Sequence, residues 1–160
     1  MPAIQNESQL QQIMEKLASE ALEVVADRVL KKFKEEFVEP IIFKSHGPNS
    51  VYERTGEFEN SWEWTALKKD LKTLSKEMWY NPSKMTLDRK NFVHGSNYPP
   101  NDARKELMDI LNKSGYSSSL WVSVKRPAPY WDAFILAAFQ GGMLSKVISE
   151  EFSKRGFKKM

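Results

Sequence analysis

The chain has 160 residues, enough to bury one apolar core, and it lacks cysteine, which excludes disulfide bonds and thiolate metal sites. Charged residues make up 28% and apolar residues 41% of the chain, proportions that argue against extensive disorder. The formal charge of +3 allows contact with nucleic acid without requiring it, and the apolar runs are too short to cross a bilayer.

The first predicted element is a long amphipathic helix at residues 7–38. Neither glycine nor proline occurs in residues 7–37, and apolar residues recur there at steps of three and four. Acidic residues are concentrated early in the helix and basic residues late, the order that the helix dipole favours. We expect the helix to end at Pro40, because the residue before a proline avoids helical backbone angles.

The length of this helix bears on assembly. About 30 residues at roughly 1.5 Å each form a rod of about 45 Å, whereas a compact domain of this size has a radius of gyration of about 15 Å. One protomer has difficulty burying the whole apolar stripe. Three explanations are open. The helix is interrupted although the sequence contains no helix-breaking residue there, or it is an ordinary long core helix, or part of its apolar face packs against another subunit. We favour the contact with another subunit.

Residues 52–62 form the most informative stretch of the chain. It contains Arg-Thr-Gly at 54–56, followed by Phe58 and Trp62 one helical turn apart, after which Trp62 and Trp64 alternate as in a strand. The pattern predicts a short helix, capped by the threonine or the glycine, that leads into a sheet. We assign a structural junction to Arg54, Thr55, Gly56 and Trp62. Its arginine is expected to be exposed to a neighbouring subunit or to a local carboxylate.

An antiparallel hairpin is predicted next. Its strands are residues 61–67 and 73–80, and residues 68–72 connect them. Lys76 and Glu77 interrupt the alternation of the second strand, which leaves its register open.

A long irregular connection follows at residues 81–100, where three prolines and a glycine occur. The pattern then predicts a helix at 102–114 that Gly115 closes, and a third strand in which apolar residues alternate over 120–124.

The C-terminal part is predicted to be helical. Pro129 opens a helix that the glycine pair at 141–142 interrupts, and a last helix runs over 143–156. Phe157 is placed to close onto Phe152 through a Schellman cap.

Together these elements predict an α+β fold in a single domain of residues 1–160. The domain consists of the long N-terminal amphipathic helix at 7–38, a small antiparallel sheet with a long loop and a helix at 52–126, and C-terminal helices at 129–156. Beyond the first helix, two to three further helices are expected.

The sequence contains no catalytic or cofactor-binding pattern. His46 and His94 each precede a glycine, but no ligand spacing supports a metal site around them. The carboxylate pairs at 35–36 and 150–151 lie at adjacent helix positions, which predicts solvated faces and not an acid–base pair. We therefore expect no enzymatic activity, no cofactor and no metal. A small hydrolase or metal enzyme built around the two histidines is a competing hypothesis.

A basic cluster surrounds the predicted hairpin and consists of Lys68, Lys69, Lys72 and Lys76. These side chains are candidates for facing a polyanion. Aromatic residues are abundant but lie mostly at amphipathic spacing, which favours core packing over base stacking. One hypothesis for the function is therefore a nonspecific nucleic-acid-binding module.

Several short segments occur in an order that resembles a known family. After the long helix come Tyr-x-Arg-Thr-Gly-x-Phe-x-x-Ser-Trp at 52–62, Asn-Pro-Ser-Lys-Met at 81–85 with His-Gly-Ser at 94–96, the helix start at 102–107, and the run at 126–134. In this order they resemble the minor head-tail component family of tailed bacteriophages, whose members include tail-completion proteins of the neck. The resemblance covers most of residues 7–157.

This resemblance implies a structural virion protein without enzymatic activity. Copies of such a protein assemble into a ring in the neck or at the head-proximal end of the tail. They bridge the connector or stopper to tail-terminator or tail-tube proteins, and double-stranded DNA passes through the lumen without sequence-specific contact. The resemblance also implies no membrane partner, a location in the virion, and assembly in the host cytoplasm. The hairpin lysines are then candidates for facing the lumen, where weak attraction suffices.

Overall fold

The computed structural model describes residues 6–43, 57–70, 73–85, 112 and 129–157. Within these residues the chain forms helices and short antiparallel strands, so the predicted α+β fold class is confirmed. The helix predicted at 102–114, apart from Asn112, and the third strand predicted at 120–124 lie outside the described residues.

The first element is the helix α1, Glu7–Lys32. Asn6 caps it, because its side-chain oxygen accepts a hydrogen bond of 2.9 Å from the backbone N–H of Gln9. The buried residues of the helix are Ala21, Val25, Ala26 and Val29. The predicted amphipathic helix is therefore present, and its second half packs into the core.

The chain continues beyond Lys32 as a π-helical segment, π1, Phe33–Phe43, which contains Pro40. The expectation that Pro40 ends the helix is therefore wrong. In an α-helix, proline lacks the N–H that would bond to the preceding turn, and its ring collides with a carbonyl of that turn. The wider π turn, which bonds over five residues, lets the chain keep a helical course around such a residue.

A short helix, α2, Glu57–Asn60, leads into the sheet. The hydroxyl of Ser61 donates to the carbonyl of Glu57 at 2.6 Å and closes the helical turn. Phe58 and Trp62 are both buried, with their ring centroids 6.4 Å apart. The predicted transition from a short helix to a strand is confirmed.

A two-stranded ribbon follows, built from two paired segments. β1, Trp62–Trp64, pairs antiparallel with β4, Met78–Tyr80, and β2, Lys68–Asp70, pairs antiparallel with β3, Thr73–Ser75. The predicted hairpin is confirmed, but its connection is shorter than expected. Residues 68–70 form a strand because cross-strand pairing, and not the low strand preference of lysine and aspartate, decides the conformation there.

The ribbon is interrupted by a bulge. Between the two paired segments the first strand contributes three residues and the second contributes two, namely 65–67 and 76–77. The extra residue turns the following side chains of its own strand to the other face. The N–H of Thr65 donates to the Glu77 carbonyl at 2.9 Å, and the hydroxyl oxygen of Thr65 accepts from the Glu77 N–H at 3.0 Å. The interruption predicted at Lys76 and Glu77 is thus confirmed.

The helix α3, Tyr130–Ile135, begins directly after Pro129, as predicted. Its cap comes from a distant part of the chain. The side-chain oxygen of Asn112 accepts hydrogen bonds from the backbone N–H of Trp131 at 3.2 Å and of Asp132 at 3.4 Å. Asn112 is buried, so these bonds satisfy a polar group inside the fold.

A second π segment, π2, Leu136–Gln140, extends α3, and a glycine pair then separates it from α4, Met143–Lys154. The backbone of Gly142 has φ +70°, in the left-handed region that glycine adopts without strain. The predicted interruption by the glycine pair is confirmed.

The end of α4 has the predicted Schellman geometry. The N–H of Phe157 donates to the carbonyl of Phe152 at 3.1 Å, and the N–H of Gly156 donates to the carbonyl of Ser153 at 3.0 Å. The rings of Phe152 and Phe157 lie 5.3 Å apart. Local sequence alone was sufficient to predict this end.

Phe33 lies at the centre of an aromatic core and is fully buried. Its ring centroid is 4.8 Å from those of Trp62 and Phe134, 5.8 Å from that of Trp131 and 6.1 Å from that of Tyr130. Trp62 also stacks on Trp131 at 5.1 Å. The long helix, the ribbon and α3 therefore meet in one cluster of rings.

Candidate interaction surfaces

The ribbon lies along α1 and is held there by three contacts: the Trp64 indole N–H donates to the Ala26 carbonyl at 2.7 Å, Lys76 pairs with Glu23, and Lys69 pairs with Glu15. Trp64 and Lys69 are five residues apart, so on a regular strand they would face opposite sides. The bulge between them allows both side chains to reach the same helix. It therefore turns the basic end of the ribbon onto α1.

The structure places three of the four candidate lysines in ion pairs. In addition to the two pairs with α1, Lys68 lies 3.1 Å from Glu77 across the ribbon. The side chain of Lys76 is only 9% exposed. Lys72 lies outside the described residues. These pairs reduce the positive charge that the ribbon offers to a polyanion.

Of the predicted junction, the structure describes Trp62, whereas Arg54, Thr55 and Gly56 lie outside the described residues. Trp62 is buried between Phe33 and the stacked ring of Trp131. Its contribution is to join the start of the ribbon to the aromatic core.

A network of ion pairs joins α1 to α4 and was not predicted. Arg28 donates from Nη2 to Glu150 at 2.7 Å and from Nη1 to Glu151. Glu151 also binds Lys154 at 2.8 Å and Arg155 at 3.1 Å. Because the Glu151 side chain is only 5% exposed, the expectation that residues 150–151 form a solvated face is wrong for Glu151.

The surrounding cations keep Glu151 ionised. The hydrogen bond from Lys154, and then those from the two arginines, lower the pKa of Glu151 to about 2, against the opposing effect of burial. The sequence held a signal for this network. Arg28 follows Ala21 by seven residues in the apolar row of α1, and Glu151 follows Val147 by four. A charge at a buried helical position requires a partner.

A second carboxylate fixes the chain after β4. Glu63 accepts a hydrogen bond of 2.8 Å from the side-chain amide of Asn81 and pairs with Lys84. The hydrogen bond from Lys84, followed by that from Asn81, holds the pKa of Glu63 below its ordinary value. Asn81 caps a single 3₁₀ turn, Pro82–Lys84, and Lys84 is the last residue of that turn. The start of the long connection is thus anchored to the ribbon.

Three apolar side chains near the start of α1 are exposed. Leu10, Ile13 and Met14 have 41%, 40% and 48% of their surface accessible. They continue, at steps of three and four residues, the row that is buried at Ala21 and Val25. We call Leu10, Ile13 and Met14 the α1 surface.

A second group of exposed apolar residues lies on α3, π2 and α4. Leu136 and Phe139 are 56% and 67% exposed, and Ile135 and Ile148 are each 37% exposed. Lys146 is the only charged residue between positions 133 and 149. We call Ile135, Leu136, Phe139 and Ile148 the C-terminal surface.

Both surfaces consist of exposed apolar side chains. Among the described residues no group of three acidic or histidine side chains gathers into a metal site, and both histidines lie outside them. In the described part of the chain, no helix is both long enough and apolar enough to span a membrane. Comparison with family models, with curated proteins and with solved structures gave no significant match.

Proposed function

We propose that this chain is a structural virion protein of a tailed phage, acting as a tail-completion or head-tail joining subunit in a neck ring. The order of the sequence segments supports this assignment. The observation that carries it is the presence of two separate apolar surfaces on one chain, the α1 surface and the C-terminal surface. A ring subunit that also bridges to other rings needs apolar contact areas of this kind.

The contacts between the helices and the ribbon hold these two surfaces in fixed positions, as assembly of identical copies requires. Phe33 packs between the long helix, the ribbon and α3, while the ion pair between Arg28 and Glu151 joins α1 to α4. Surfaces on anchored helices keep a fixed relative position, and a closed ring requires the same rotation at every contact.

The contact with DNA in this proposal is weak and independent of sequence. Lys68, Lys69 and Lys76 have carboxylate partners, which lowers the net positive charge that the ribbon presents to phosphate. Weak attraction is what a lumen for a moving genome requires, because tight phosphate binding would hold the DNA.

The proposal is tested on particles. Mass spectrometry of purified tailed particles from the genome that encodes this chain is expected to detect the chain at a constant ratio to the connector protein. A nonstructural protein of the same genome serves as the negative control. Absence from the particles, together with no binding to connector or tail-terminator proteins in size-exclusion chromatography, would overturn the proposal.

The second candidate is a nonspecific nucleic-acid-binding module that uses the hairpin lysines. It predicts micromolar or tighter binding to duplex DNA that weakens steeply with salt, by a factor of about 10³ or more between 50 and 200 mM salt for six or more phosphate contacts. The ion pairs of the ribbon argue against it. A fluorescence titration that stays flat at physiological salt would remove this candidate.

A further inference from the structure

We propose that the outer half of the ribbon, the paired strands β2 and β3, is a hinged arm. It docks on α1 through the ion pair of Lys69 with Glu15 and bends away from α1 at the bulge. The motion takes place within one copy of the chain and does not depend on the proposed function. The inference rests on the difference in burial and in contacts between the two halves of the ribbon.

The inner half of the ribbon, β1 and β4, is anchored in the core. The side chain of Trp62 is buried and stacks on Trp131, and the ring of Tyr80 lies 5.6 Å from that of Trp62. The Trp64 indole N–H donates to the Ala26 carbonyl of α1 at 2.7 Å. Aromatic side chains that are buried in this way dominate the energetics of a core. The inner half therefore stays on α1 as long as the protein is folded.

The outer half is exposed to water. All of β2 is exposed, as are Thr73 and Ser75, whereas Leu74 is half-buried. Leu74 is the cross-strand partner of Lys69, so both side chains lie on the face that is directed at α1. The side chains of Lys69 and Glu15 are 60% and 34% exposed. An ion pair in such contact with water changes an equilibrium constant by a factor of only about two to five. Docking of the outer half is therefore much weaker than that of the inner half.

The bulge separates the two halves. It interrupts the ladder of the ribbon, so that β1–β4 and β2–β3 are two separate paired segments. The bulge is itself held on α1, because Lys76 is 9% exposed and pairs with Glu23. The ion pair that crosses the bulge, Lys68 with Glu77, is exposed at both ends. The ribbon can therefore bend where the outer half begins, while the inner half stays in place.

Ionic strength controls the arm. Salt screens the attraction between exposed charges, and the screening length falls from about 10 Å at 0.1 M salt to about 3 Å at 1 M salt. The exposed pair of Lys69 with Glu15 weakens over this range, whereas the aromatic contacts of the inner half carry no charge. Undocking leaves both side chains able to pair with the charges of a neighbouring molecule.

The distance between two spin labels tests the arm, because the chain has no cysteine and introduced thiols are labelled alone. One label is placed on α1 at Gln12→Cys and the other on β3 at Ser75→Cys, both at exposed positions. Ser75 is the neighbour of Leu74, so its label lies on the face away from α1. Double electron–electron resonance at about 0.1 M salt is expected to show mainly one distance. At about 1 M salt, the ratio of a second, longer distance to the first is expected to rise about two- to fivefold.

Variants of the ion pair separate its effect from that of salt in general. Glu15→Gln is expected to give, already at low salt, the distance distribution that the parent protein shows at high salt. Glu20→Gln makes the same change of charge at an exposed position of α1 and is the matched control. It should behave like the parent protein. The charge swap Glu15→Lys/Lys69→Glu is expected to restore the docked distance, because it restores the pair with the charges exchanged.

A second pair of labels shows where the ribbon bends. Gln12→Cys combined with Trp79→Cys, an exposed position on the inner half, is expected to keep one distance under all conditions. Equal changes in both label pairs would show that the whole ribbon moves and would overturn the hinge at the bulge. An outer distance that is the same at low salt, at high salt and in Glu15→Gln would overturn the arm itself. Circular dichroism should show all variants folded, and none of these outcomes decides whether the chain is present in particles.

Discussion

Arg28 and Glu151 are 123 positions apart in the sequence and form an ion pair that joins α1 to α4. The carboxylate lies in an almost fully buried position, where Lys154 and Arg155 also bind it. The ionised form of Glu151 therefore stabilises the packing of the last helix onto the first. This relationship makes the stability of the protein sensitive to acid.

The first prediction concerns this dependence on pH. The pKa of Glu151 is lowered from 4.5 to about 2 in the folded protein. A lowered folded-state pKa contributes stability that is present above the unfolded value and is lost as the pH falls toward the folded value. Wild type should therefore be more stable than Glu151→Gln at pH 6, and the difference should shrink from about pH 4.5 downward. Urea unfolding at a series of pH values measures it.

The matched control for this experiment is Ser149→Ala, an exposed position directly before Glu150. It should follow the wild-type dependence on pH. A difference between wild type and Glu151→Gln that stays constant from pH 6 to pH 2.5 would show that the buried carboxylate does not titrate in this way.

The second prediction concerns the aromatic core. Phe33→Ala should lower the free energy of unfolding by about 3–5 kcal/mol, because it removes the ring around which the other rings pack. Phe139→Ala removes the same side chain from an exposed position and should change the free energy of unfolding by about 0.5 kcal/mol or less. Urea unfolding of the monomer compares them. Equal losses in the two variants would contradict the central position of Phe33.

The third prediction uses the unequal exposure of an ion pair. Lys76 is 9% exposed and its partner Glu23 is 47% exposed. Glu23→Gln leaves a buried ammonium group without its carboxylate and should cost about 1–3 kcal/mol. Lys76→Met leaves Glu23 in contact with water and should be nearly neutral, since the methionine fills the same space. Thermal unfolding is expected to show that Glu23→Gln is less stable than Lys76→Met. The reverse ranking would mean that Lys76 does not form this ion pair in solution.

The fourth prediction concerns the turn between π2 and α4. Gly142→Ala places a side chain at φ +70° and should destabilise the fold by about 1–2 kcal/mol. Gly141→Ala should also be destabilising, for a steric reason, because its Cβ would lie 2.8 Å from the Ala137 carbonyl oxygen. Gln140→Ala, at an exposed position beside them, is the control. Chemical unfolding that finds all three variants alike would exclude this turn geometry.

Several elements were predictable because their causes lie within a few residues. The interruption at Gly142 and the closing of Phe157 onto Phe152 follow from glycine backbone freedom and local capping bonds. The short helix before Trp62 likewise follows from a local pattern. In each case the interactions that decide the conformation connect neighbours in the sequence.

Other features depend on contacts between distant residues. The cap of α3 comes from Asn112, the bulge allows Lys69 to reach α1, and the burial of Glu151 depends on Arg28. Local preference at Pro40 favours the end of a helix, yet the chain continues there as a π-helix. Local preference therefore did not predict the course of the chain at this position. Sequence periodicity can show that a charge at a buried position requires a partner, but it does not identify which distant residue that partner is.

The apolar row of α1 depends both on local sequence and on contacts between distant residues. The sequence by itself determined that Leu10, Met14, Ala21 and Val25 share one face, because helical geometry repeats every 3.6 residues. Only the tertiary structure decided that Ala21 and Val25 are covered while Leu10 and Met14 stay exposed. The physical reason is that periodicity identifies which face of a helix is apolar, whereas burial depends on how far the packed elements extend along that face.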